Sequence, residues 1–213
     1  KTGIEIALID GIEEARLTSL GMLSGLPLRN QNFLSLDIGG GSTEITIRNN
    51  EKITYVASIP LGCVTLSKKY FYQENTQPKT KEILALEKFI AMQLAPIIFE
   101  AKKKTYQLAV MSSGTAKALA YMDYYQKNNQ ELEDPNGYNL KTKEINALVN
   151  NMKSLRSPEK IKKYWDLDTN RSEIILAGAS ILNILTNILG IKQWTVSNYA
   201  LREGLVIDTY KRL

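Results

Sequence analysis

A mixed α/β fold, one five-stranded sheet with helices on its faces, is the architecture the 213-residue sequence predicts. Three short β-type runs lie between residues 33 and 59, and helical and strand patterns alternate from residue 80 to the C-terminus. A further strand, over 107–111, runs through Ser112-Ser113-Gly114-Thr115 directly into a helical pattern. A meander followed by alternating helices and strands is the signature of a mixed sheet covered by helices.

Each element has a local reason. Ile4 to Ile9 alternates around Glu5 and reads as a strand, Asp10-Gly11 as a turn, and Glu13 to Leu23 as a helix with Leu17, Leu20 and Leu23 on one side. Phe33–Ile38 and Thr43–Arg48 are strands joined by three glycines, and Lys52–Ile59 follows the Asn49-Asn50 turn. Thr80 to Lys104 carries apolar residues at helical spacing, with Pro96 expected to kink or split it. After the strand at Gln107–Met111 comes a helix over Ala116–Tyr125, then a polar loop from Lys127 to Asn139 around Asp134-Pro135-Asn136-Gly137. Amphipathic helices are predicted over Lys143–Lys153 and Pro158–Trp165, then an apolar helix over Ser172–Leu189, a fifth strand over Lys192–Ser197, and a last helix over Leu201–Lys211. Ile174 to Ile191 runs without a charge for 18 residues, a length that raises a membrane-spanning reading. The polar residues and glycines within it favour a buried core helix in a soluble protein.

Composition narrows the chemistry. There is no histidine, so a Ser-His-Asp triad, a Cys-His pair and the usual zinc sites are excluded within this chain. Any acid or base is therefore a carboxylate, Lys, Tyr or Cys. The single cysteine, Cys63, allows no intrachain disulfide and fits a reducing, cytoplasmic setting. The net charge of +5 agrees with an anionic ligand and is also common in proteins that bind nothing acidic. The sequence opens on Lys1-Thr2-Gly3 rather than Met, as a fragment would.

The strongest motif is Asp37-Ile38-Gly39-Gly40-Gly41-Ser42-Thr43-Glu44. Glycines let backbone N–H groups approach phosphate oxygens without a Cβ in the way, and Ser42 and Thr43 add hydroxyls. Asp37 and Glu44, one on each side of the turn, are what a Mg2+ bridging phosphates needs, because that ion prefers hard oxygen ligands. Three glycines alone would suit an ordinary hairpin; the whole octet favours the phosphate and metal reading. Ser113, Gly114 and Thr115 open a helix, where free N–H groups and the helix dipole favour an anion, and a plain helix cap remains an alternative.

Together with Gly11-Ile-Glu-Glu-Ala-Arg-Leu17, Leu61-Gly-Cys-Val64, Ser113-Gly-Thr115, Ala177-Gly-Ala179 and Leu201-Arg-Glu-Gly-Leu205, the octet resembles the exopolyphosphatase and guanosine pentaphosphate phosphatase family. That resemblance implies a ribonuclease-H-like lobe of the actin-like superfamily, with phosphate bound in a cleft between two lobes. It implies residues 1–213 as a single domain, the C-terminal lobe, with the N-terminal lobe preceding residue 1. It places the catalytic base on Glu14 and puts Asp37 and Glu44 around metal and phosphate, so that with the loop chemistry above the phosphate contacts fall on Gly39, Gly40, Gly41, Ser42, Thr43, Ser113, Gly114 and Thr115, and Mg2+ on Asp37 and Glu44. From the residues alone Glu13 and Glu14 stay interchangeable. The expected partners are inorganic polyphosphate or guanosine pentaphosphate and the missing lobe, with no membrane and no specific nucleic acid; a homodimer is left open. The implied activity is phosphoanhydride hydrolysis by water; a non-catalytic polyphosphate- or alarmone-binding module and an ATP-dependent kinase are the alternatives. Arg16, Arg202 and Glu203 read as structural ion pairs or caps, Cys63 as a packed thiol, and Lys102–Lys104 as a solvated helix end.

Overall fold

The computed structural model describes residues 3, 7–28, 30–50, 52–71 and 78–212. Helix α1 (Gly11–Gly25) begins at Asp10, whose carboxylate accepts the Glu13 N–H at 2.8 Å. The meander follows as β1 (Phe33–Ile38), β2 (Thr43–Asn49) and β3 (Lys52–Ile59). Then come α2 (Cys63–Tyr70), α3 (Thr80–Ala101), β4 (Leu108–Ser112), α4 (Ser113–Asn128), β5 (Asn139–Lys141), α5 (Thr142–Leu155), α6 (Pro158–Trp165), α7 (Thr169–Leu189), β6 (Gln193–Val196) and α8 (Leu201–Arg212).

The strands form one sheet in the order β3-β2-β1-β4-β6-β5. β1, β2 and β3 are antiparallel neighbours, β1, β4 and β6 run parallel, and β5 closes the far edge antiparallel to β6. Among the described residues the sheet therefore has six strands where the sequence predicted five. The addition is β5, three residues inside the stretch read as a polar loop and its margin, whose pairing with β6 makes it a strand. Helix α2 was likewise not expected. Of the strand anticipated over Ile4–Ile9, residues 4–6 lie outside the described residues, and Ala7 to Ile9 have no regular structure.

Two layers of helices cover the sheet, and strand alternation assigns each side chain to one of them. Leu34, Leu36 and Ile38 of β1, Ile45 and Ile47 of β2, and Met111 of β4 join the larger core with α3, α5 and α7. Phe33 and Val110 face the other way, against Met22, Leu26 and Leu28 at the end of α1. Helix α7 is long and apolar enough to cross a membrane by length and composition, and in this fold it is the central core helix, with Ile175, Leu182 and Leu185 fully buried. Pro96 leaves α3 unbroken. Both Pro96 and Met92, whose carbonyl the missing N–H would have engaged, are exposed residues on the solvent side of the helix.

Helices α1 and α8 pack together on the second face. A Cβ on Gly204 would overlap the Leu17 carbonyl, and one on Gly21 would overlap the Ala200 carbonyl, so the crossing is backbone against backbone. Gly204→Ala is therefore expected to cost on the order of 1–3 kcal/mol by forcing the helices apart. Calorimetry should read this as a lower melting temperature.

Candidate functional site

The sheet face beneath α1 is unusually polar at one end. Asp37, next to last on β1, pairs in register with Glu44 on β2 and with Ser112 on β4. By alternation Asp37 shares its face with Phe33 and Ser35, and Glu44 shares it with Thr46 and Arg48, while Ser35 and Thr46 hydrogen-bond to each other between the strands. Glu14, in the first turn of α1, brings a third carboxylate close enough to raise the proton affinity of both Asp37 and Glu44. Glu44 is buried and accepts hydrogen bonds from Ser58 at 2.8 Å and from Ser42. Burial raises its carboxyl above the usual range, and those two hydroxyls partly offset the effect. Asp37 is pushed up to about 7, first by burial and then by the charges of Glu44 and Glu14, with Lys117 opposing.

The structure gives the two acids of the Glu-Glu block different surroundings. Glu13 is clamped by Arg16 through two contacts of 2.7 Å, and Arg16 reaches on to Asp208 of α8 at 2.7 Å. Arg16 thus has the structural role the sequence suggested, tying α1 to α8. Glu14 takes no part in that network and lies on the side of the acid cluster.

The glycine loop is shaped by its carbonyls. Gly39 N–H donates to the Ser42 carbonyl at 2.9 Å, closing the turn. The Gly39 and Gly40 carbonyls accept the N–H groups of Cys63, Val64 and Thr65 at 3.0 to 3.1 Å, which occupies the first turn of α2. The fit leaves no room for a side chain at Gly62, where a Cβ would overlap the Gly40 carbonyl. With its carbonyls turned toward α2, the loop leaves Gly40 and Gly41 exposed, their N–H groups without a partner among the described residues. Ser42 is partly exposed. Thr43 is fully buried and donates to the Leu61 carbonyl at 2.5 Å, so its hydroxyl locks the loop to the segment before α2 instead of facing the opening.

At the second loop, Ser113 Oγ accepts the Thr115 and Ala116 N–H groups at 3.2 and 3.4 Å, capping α4 from a residue with φ of +99°. Thr115 is buried, with its hydroxyl 3.4 Å from the Ile38 carbonyl that it donates to, and a Cβ on Gly178 would come 2.8 Å from it. That contact explains the Ala177-Gly-Ala179 block: α7 needs a glycine where Thr115 packs. Gly114 lies against the Arg171 guanidinium, which a Cβ there would meet within 2.9 Å of its carbon. Gly114, Lys117, Tyr121, Leu132, Asp168 and Arg171 line a cavity of about 330 Å³ beside this loop. Arg171 was missed by sequence reasoning, since a lone arginine in a helix's first turn gives no sign of which distant loop it will touch. Lys117, two residues beyond Thr115, has no role assigned from the sequence, and only the fold brings its charge to bear on Asp37.

A divalent cation fits this donor set. Among the described residues no group of three or more His, Cys, Asp or Glu side chains is arranged to hold a metal ion. Mg2+ in phosphate chemistry needs only one or two carboxylates, with water and substrate oxygens completing its shell. Asp37, its proton affinity raised by burial and by two like charges, is the kind of oxygen ligand whose ionisation a cation would favour. Cys63 is a buried free thiol, as expected, and Glu203 caps α8 by accepting the Ala200 N–H at 2.8 Å.

Comparison with known proteins gives a consistent picture. The profile of the Ppx/GppA phosphatase family matches residues 1–213. A crystal structure of the Ppx/GppA phosphatase from Aquifex aeolicus, type II variant, superposes with a TM-score of 0.80 at 27% identity, covering 94% of this chain and 64% of that one. A second structure of the Aquifex aeolicus family member gives 0.84 at 26% identity, covering 100% of this chain and 66% of its own. An exopolyphosphatase from Cytophaga hutchinsonii shares the fold, with a TM-score of 0.86 at 21% identity over 99% of this chain and 67% of that one. The chain therefore spans about two thirds of the length of the solved structures it matches.

Proposed function

Because the chain belongs to the Ppx/GppA phosphatase family, we propose that it is the second lobe of a two-lobe hydrolase that releases orthophosphate from the end of inorganic polyphosphate or from the 5′ end of guanosine pentaphosphate. The observation that carries this reading is that Glu14, Asp37 and Glu44 lie near enough to act on one another by charge, beside a glycine loop whose Gly40 and Gly41 N–H groups have no partner among the described residues. Those residues come from separate parts of the sequence and converge at one end of the sheet.

Hydrolysis of a terminal phosphoanhydride depends on positioning and charge stabilisation more than on covalent chemistry. Glu14 accepts the proton of the attacking water, since of the two adjacent acids it is the one with no arginine partner among the described residues. Gly40 and Gly41 N–H groups, with Ser42, hold the phosphoryl oxygens, and the Ser113-Gly114-Thr115 loop with Lys117 and Arg171 adds positive potential on the leaving side. Asp37 and Glu44 would hold Mg2+, which offsets charge on the phosphates. The remaining third of the relatives' length supplies the opposite wall of the cleft.

The full-length gene product should release orthophosphate from polyphosphate with Mg2+ present, lose that activity on chelation, and regain it when Mg2+ is restored. Tight binding without turnover would favour a regulatory module instead. Transfer to an acceptor other than water would favour a kinase.

A further inference from the structure

We propose that Ser112 is an additional oxygen ligand of the divalent cation beside Asp37; this rests on the phosphate and metal reading of the site. Ser112 occupies the N-cap position of α4, where a serine hydroxyl ordinarily accepts an N–H from the first turn. Here it does not, because the neighbouring Ser113 accepts the Thr115 and Ala116 N–H groups instead. The Ser112 hydroxyl is left buried, at 2% exposure, with no hydrogen-bond partner among the described residues.

Its direction follows from the sheet. Ser112 pairs in register with Asp37 across the parallel β1–β4 ladder, so the two side chains leave the same face about 5 Å apart. Val110, two residues earlier on β4, points to that face and packs under α1. Register and face therefore put the Ser112 side chain next to that of Asp37, at the end of the sheet where the acids lie. A buried hydroxyl without a partner lowers stability, whereas a hard cation bound between it and Asp37 would use its oxygen directly. Two adjacent serines divide the work: the second caps the helix, and the first is kept for the ligand.

Two measurements on the metal-free, full-length gene product test this: calorimetric titration with Mg2+ alone, and urea denaturation. Ser112→Ala is expected to bind Mg2+ roughly 10-fold more weakly, with a denaturation midpoint equal to or above wild type because the unsatisfied hydroxyl is gone. Unchanged Mg2+ affinity would overturn the proposal and leave the proposed function standing. A lowered midpoint would also overturn it, by revealing a structural role. So would a loss seen only in a parallel titration with inorganic phosphate, which would make the hydroxyl a phosphoryl contact. A wild-type protein that binds no Mg2+ would remove the metal reading of the whole site along with this one.

Discussion

Glu14→Gln in the full-length protein should slow orthophosphate release by about 10²–10⁴-fold, the span expected when a positioned general base is removed. Glu13→Gln should stay within a few fold of wild type. The contrast follows from surroundings, since the two residues are adjacent and identical in type. Glu13 is held by Arg16, and that pair is partly exposed, at 36% and 32% of their side chains. Such pairs contribute about 0–1 kcal/mol, so losing this one loosens the α1–α8 contact slightly and leaves the chemistry in place. Glu14 faces Asp37 and Glu44, where its charge already raises both carboxyls. Steady-state rates of the two variants side by side decide between them, and equal losses would show that the helix turn matters as a unit.

Asp37→Asn should make the metal-free protein more stable at pH 8 by up to about 4 kcal/mol, and no more stable at pH 4. The carboxyl is raised from an ordinary value of 3.8 to about 7, so the folded state holds a proton that the unfolded chain releases early. Stability tied to that proton is fully present below about 4 and is lost as pH rises toward 7. Asparagine cannot ionise and escapes the loss. Urea denaturation in chelator at the two pH values measures the difference. Saturating Mg2+ should shrink or reverse it, because the cation stabilises the ionised aspartate and has less to bind in the variant. A wild-type protein equally stable at both pH values would mean that Asp37 is better solvated than its position implies.

The strand-rich part of the fold was legible because its signals are local. β1, β2 and β3 start where alternation and the glycine and asparagine turns place them, and α7 ends before Gly190, its left-handed cap. Helix α2 was not legible: its eight residues include Ser67, Lys68 and Lys69, and what fixes its start is the docking of its N–H groups onto glycine-loop carbonyls more than twenty residues away. β5 escaped for a similar reason, being a strand only by virtue of its partner. At the site, the octet announced Asp37 and Glu44 through their symmetric placement about the turn. The division between Glu13 and Glu14, the inward turn of Thr43, the unpartnered Ser112 and the approach of Arg171 to Gly114 are products of packing, which no short window of sequence contains.

In the proposed reaction water, and no other acceptor, takes up the terminal phosphoryl group at this cluster. Hydrolysis of polyphosphate by the full-length protein and Mg2+ in ¹⁸O-enriched water, with the released orthophosphate weighed by mass spectrometry, tests it directly. A single labelled oxygen is expected in each orthophosphate released by attack of water. Polyphosphate that binds at this cluster without release, or phosphate recovered on an acceptor and free of label, would contradict it.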